Sequence, residues 1–318
     1  MTRIRPAATI AFVLLACGLA WIVALPMWFD RGLANPLSTA LISVMMFTPA
    51  LAVVIVMLLM RPVPKGEQLR FLGIWPLRPA KRVVWMMVLG LFAPMLLAAL
   101  SVVVAALCGW VTLDLVHFSG FAEQLEASLP AGVPAPPVLI VILSQLALIP
   151  FAAATINAAL AFGEELGWRG FLVPALRQYG TWPTLLISGV IWGLWHAPVI
   201  LLGYNFGRTD LTGVLLMTAG CVAWGVLLGW LRLRSASLWP AVFAHGAMNA
   251  GGGMIVWFHA GGTSIDPALA GILGAAGWIT CAIVVVVLVL TGQFRRQPEL
   301  DGSVGRMLSA PRHEVGSQ

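Results

Sequence analysis

Residues 137–170 read PVLIVILSQLALIPFAAATINAALAFGEELGWRG. No charge occurs from Pro137 to Gly163, a stretch longer than the roughly 20 apolar residues that cross a hydrocarbon layer, and then Glu164, Glu165 and Arg169 arrive together. An ionisable group at the edge of such a run is costly unless it is paired or shielded by protein, so the cluster marks a functional-site candidate as well as a helix end. The rest of the chain has the same character. It is 60% apolar and 9% charged over 318 residues, against roughly 25% charge in a soluble domain, and its mean hydropathy is +0.95.

Working outward, apolar runs at 7–29, 37–60, 83–110, 137–162, 182–203, 211–231, 237–259 and 268–291 give an all-α, polytopic membrane bundle of about eight spans. Residues 1–296 form one transmembrane domain and 297–318 a short, polar tail expected to be disordered and cytoplasmic. The first run follows Arg3 and Arg5 like a signal peptide, but it continues through Trp28 and reads as an uncleaved span. Basic residues alternate between loops: Arg61, Lys65, Arg70, Arg78, Lys81 and Arg82 follow the second span, Arg169 and Arg177 the fourth, and Arg232 and Arg234 the sixth. The opposite loops hold Arg31 and Arg208 with Asp30, Asp114, Glu123, Glu126, Asp210 and Asp266. The positive-inside rule then places both termini in the cytoplasm, and the net charge of +6 reflects topology and not a nucleic-acid partner. Lysine is confined to Lys65 and Lys81, a bias of GC-rich bacterial genomes, so the expected bilayer is a bacterial plasma membrane. The four cysteines are scattered one to a run and read as small apolar filler. Gly225-x-x-x-Gly229 is a close-packing signal.

Adjacent helical residues point about 100° apart, so Glu164 and Glu165 face different neighbours. Arg169, four residues after Glu165, has the order and spacing of a helical ion pair, which leaves Glu164 for other helices. Trp192-x-x-x-His196 and His245-x-x-x-Asn249 each place two side chains on one helical face, in the fifth and seventh runs. A carboxylate beside a histidine suits a general base that takes a proton from water. A histidine beside an asparagine amide suits donation to an oxyanion. Each element has a plainer reading, as an interfacial ion-pair cluster or as interhelical hydrogen bonding, and a proton-coupled transporter or an immunity or scaffold factor would use the same groups for binding.

At these residues the chain resembles the CPBP intramembrane proteases, which include the CAAX-processing endopeptidases and bacterial Abi-type proteins. The paired Glu with a following Arg matches Glu164, Glu165 and Arg169. The aromatic-then-His motif matches Trp192 and His196, with Trp where Phe is commoner, and the third motif matches His245 and Asn249. The likeness covers roughly 139–256, inside a protease core at about 137–259. It implies an endopeptidase in which Glu164 and His196 activate water, His245 and Asn249 steady the oxyanion, and Glu165, Arg169 and Trp192 support them. No cofactor is obligatory in this reading. A zinc ion, if used, would take Glu164, His196 and His245, a His₂Glu set with an open position. The expected partner is a peptide or protein substrate reached from the membrane or the cytoplasmic side, and Phe171 to Tyr179 is expected to form a short interfacial helix there.

Overall fold

The apolar runs fold as helices in the computed structural model, which describes residues 4–295. In chain order these are α1 (Pro6–Phe29), α2 (Ser38–Met45), α3 (Thr48–Leu59), α4 (Gln68–Phe71), α5 (Ala80–Leu107), α6 (Ser119–Ser128), α7 (Val138–Ala154) and α8 (Ile156–Glu165). A π-helical segment, Leu166–Leu172, leads into α9 (Val173–Leu176), followed by α10 (Thr181–Trp195), α11 (Ala197–Ile200), α12 (Leu211–Ser235), α13 (Trp239–Gly251), α14 (Pro267–Ala270) and α15 (Ala275–Leu290). Among the described residues the only β pairing is an isolated bridge from Leu113 to His259. The chain is thus an all-α, multi-pass membrane bundle.

Among the described residues, five helical stretches are long and apolar enough to cross a bilayer, and a sixth is added if α7 and the helical run Ile156–Tyr179, bent by 43°, count as one span. The runs that carry the histidines are shorter: α10 has 15 residues and α13 has 13. At 1.5 Å per residue they rise about 22 and 20 Å, less than a bilayer core. Both pack against longer helices, α13 against α5 and α7 and α10 against α12, and α13 also meets α8.

The bend falls at Thr155, whose φ of −116° and ψ of −95° leave the helical region. Pro150 cannot donate a backbone hydrogen bond inside α7. Two side chains reclaim carbonyls near the break: Thr155 Oγ1 donates to Phe151 O at 2.8 Å and Asn157 Nδ2 to Ala152 O at 3.3 Å. Such repair is what a broken helix needs where water is scarce. The bend lets α8 cross α13, where Gly246 lies so close to Ala153 and Ala158 that an added Cβ would sit 2.6 Å from the Ala153 carbonyl oxygen. On the other side of the bundle Gly189 and Gly193 of α10 meet Val222 and Thr218 of α12, while Gly225 faces Gly189 and Gly229 faces Leu185. The small-residue spacing in α12 therefore serves helix packing.

The connections gather at two ends. At one, the Ser237 hydroxyl and the Leu238 amide donate to Gly73 O, and Trp239 Nε1 donates to Ile74 O. At the other, Ala260 N donates to Thr112 O, Asp114 N to Phe258 O, and Arg208 pairs with Asp266 at 3.6 Å. In the loop 111–136, Asp114 accepts from Val116 N, His117 N, Ser119 N and the Ser119 hydroxyl, and α6 follows. Two readings change here. Of the segment expected as an interfacial helix, 171–176 is buried in protein, with Phe171, Leu172 and Val173 at 0% exposure and Phe171 against Phe12 and Phe71, while Gln178 and Tyr179 are exposed. Arg232, counted above as a loop cation, is also 0% exposed, inside the last turns of α12. The tail expected to be disordered, 297–318, lies outside the described residues.

Candidate active site

Glu165 and Arg169 form an ion pair of 2.6 Å with both side chains sequestered, at 0% and 1% exposure. The same oxygen, Glu165 Oε1, lies 2.9 Å from His245 Nδ1 on α13. A carboxylate paired with a guanidinium accepts, so Nδ1 carries the hydrogen and Nε2 is left for other work. The Arg169 guanidinium also stacks over Trp192, 4.4 Å from the ring centroid. Arg232 Nε donates to Arg169 O at 3.0 Å and its Nη2 to Phe71 O at 2.8 Å, which ties the π-helical turn to α12 and to the loop before α5. A π turn breaks the regular hydrogen-bond ladder and is a common device where a side chain must be re-aimed.

Glu164 turns the other way. Its Oε2 accepts from Trp192 Nε1 at 2.7 Å, so the tryptophan is more than an aromatic wall. His196, at the C-terminal cap of α10, places Nδ1 2.9 Å from Trp192 O. A carbonyl only accepts; Nδ1 is therefore the protonated nitrogen and the Nε2 lone pair is free. Trp192 thus touches all three of the motifs, with its ring 5.9 Å from that of His196 and 5.3 Å from that of His245.

Glu164, Trp192, His196, His245 and Asn249 border one cavity of about 760 Å³, within the usual range for a ligand site. Glu165 and Arg169 stand behind it. Three helices converge on it, and His245 is bonded to Glu165, not to Glu164.

A protein-family model, type II CAAX prenyl endopeptidase Rce1-like, matches residues 139–251. Residues 139–251 are thus similar to the CAAX-type protease family. The match takes in α7 through α13 and so includes every motif residue described above. No curated protein matches the chain. The likeness supports a protease role, and the long apolar helices an integral membrane protein.

Two features of this CAAX-type site were not legible as motifs. Cys221, fully buried on α12, has its sulfur 3.8 Å from His196 Nδ1, and Tyr204 and Asn205 line the cavity from the loop before α12. None has a spacing signal, since each is brought in by tertiary packing. The Trp-for-Phe difference at 192 was a signal, because only Trp carries the N–H that Glu164 uses. As for a metal, among the described residues no three His, Cys, Asp or Glu side chains are disposed to hold an ion. The bonds already made, from Trp192 to Glu164 Oε2 and between His245 Nδ1 and Glu165, involve neither the other Glu164 oxygen nor the Nε2 atoms of His196 and His245, the atoms that an ion would use.

Proposed function

We propose that the protein is an intramembrane endopeptidase that hydrolyses a peptide bond with water activated between Glu164 and His196. The observation that carries this reading is the one cavity bordered by Glu164, His196, His245 and Asn249, inside a segment of protease-family sequence. With Oε2 held by Trp192, the second Glu164 oxygen takes a proton from water while the His196 Nε2 lone pair orients it, the arrangement required of a general base. Water adds to the carbonyl carbon. The oxyanion is received by the Asn249 amide and by His245 in its doubly protonated form, with Nδ1–H donating to Glu165 and Nε2–H to the oxyanion, and Glu165 with Arg169 holds the ring at its angle. Collapse of the intermediate expels the amine, which leaves with the proton that Glu164 holds. No metal is needed in this sequence of steps.

The family description names prenylated CAAX substrates. In this chain, Met45, Met46, Met217 and Met248 line the cavity beside the polar groups, a flexible apolar wall suited to an apolar segment next to the scissile bond. The expected setting is a bacterial plasma membrane. The test is cleavage of internally quenched peptides by purified protein in lipid. Glu164→Gln and His196→Ala should each lower turnover by about 10²–10⁴-fold, the range for a positioned acid–base group, with a chelator leaving wild type unchanged. Full activity in both variants removes the assignment.

A further inference from the structure

The inference rests on the peptidase reading and concerns the side from which its substrate comes. The cavity is built from one end of the bundle. Besides the motif residues, the methionines and Asn157 and Leu160 of α8, its walls include Thr39 and Ser43 of α2, Tyr204 to Phe206 before α12, and Ile265 with Gly271 after α13. These belong to the end where Arg208 pairs with Asp266 and where Leu113 bridges to His259. Nothing from the opposite connections, 60–79, 173–180 or 235–238, reaches the cavity. That opposite end is filled: Phe71, Phe171, Leu172, Leu233 and Leu238 are all at 0% exposure there, around the buried Arg232.

The two ends differ in charge. The filled end carries Arg61, Lys65, Arg70, Arg78, Lys81 and Arg82 between α3 and α5, beside Glu67. The open end carries Asp30, Asp114, Glu123, Glu126, Asp210 and Asp266 against Arg31 and Arg208. Basic loops stay in the cytoplasm, and short loops obey this bias most closely. Subtracting the buried Arg169 and Arg232 from the loop cations leaves the asymmetry intact.

We infer that the site opens away from the cytoplasm and takes an exported polypeptide, a segment lying outside the membrane or tethered to its outer surface. This departs from the cytoplasmic access expected from the sequence. Its cause is plain in the fold: the motif residues lie between a sealed cationic end and an open acidic one.

The chain carries its own reporter. Cys108, at the C-terminal cap of α5 on the open end, is exposed, whereas Cys221 and Cys281 are buried and Cys17 is half-buried along α1. A membrane-impermeant maleimide should label the wild type in intact cells, and Cys108→Ser should remove the label. Labelling only after the membrane is permeabilised overturns the inference. In parallel, hydrophilic quenched peptides are added to right-side-out and inverted vesicles, with Glu164→Gln as the blank. Cleavage confined to right-side-out vesicles supports the inference, and cleavage confined to inverted vesicles overturns it while leaving the peptidase intact. If solubilised wild type cleaves nothing, the peptidase reading fails, and the Cys108 label still decides which side the cavity faces.

Discussion

Glu164 and Glu165 are neighbours in sequence with opposite prospects under substitution. Glu165→Gln leaves the buried Arg169 without its counter-charge, and breaking a buried pair in this way costs about 3–5 kcal/mol. Thermal unfolding in detergent should show a large loss for Glu165→Gln and little change for Glu164→Gln, whose amide oxygen still accepts from Trp192. Equal melting temperatures for the two variants would show that the Glu165–Arg169 pair is not structural. Trp192→Phe keeps the ring that Arg169 and His245 pack against but deletes the donor to Glu164. The hydrogen bond is to a charged group, worth about 1.5–3 kcal/mol, and its loss frees the carboxylate to rotate. Turnover should therefore fall with little change in peptide affinity, which steady-state kinetics will separate. The division of labour between the glutamates was readable from the 3.6-residue turn and the Glu165-x-x-x-Arg169 spacing. The partner of His245 was not, because no local rule says which of two adjacent carboxylates a distant helix will meet.

Among the elements, the π-helical turn and α3 fit together only because residue 167 is glycine. A Cβ there would lie 2.4 Å from Pro49 Cβ and 3.1 Å from Phe12 Cζ. Gly167→Ala should destabilise the protein by about 1–3 kcal/mol, the usual cost of overpacking, measured as a lower melting temperature with reduced cleavage. Gly163 is similar, since a Cβ added there would lie 2.7 Å from Met46 O; the glycines beside the motif admit the protein's own chain. The loop before α6 makes a different demand. Asp114 is held well below the ordinary carboxylate range, first by the Ser119 hydroxyl and then by the His117 amide. A lowered folded value means that the stabilisation is complete above the ordinary value of about 3.9 and is lost as pH falls through the folded one. Amide exchange at Val116, His117 and Ser119, corrected for its intrinsic pH dependence, should stay slow near neutrality and quicken only in strong acid. Asp114→Asn should quicken it at neutral pH. The apolar runs made the long helices legible, but α6 was hidden by the Pro and Gly around it, and the break at Thr155 by the unbroken apolar stretch in which it sits.

For the molecule as a whole, the loops that flank the cavity are joined by the Arg208–Asp266 pair, whose side chains are 52% and 40% exposed. An exposed pair contributes at most about 1 kcal/mol, so the two loops are held together lightly. In a Cys108→Ser background, Arg208→Cys and Asp266→Cys joined by a short cleavable bifunctional reagent should bring peptide cleavage to background, and cutting the linker should restore it. Cleavage that is unaffected by the link places the opening elsewhere. The end opposite this rim is a solid plug of aromatic and aliphatic side chains around Arg232. On the proposed peptidase reading, a well closed at that end returns its products along the path by which the substrate came, so each turnover is a cut in a strand that dips in and withdraws.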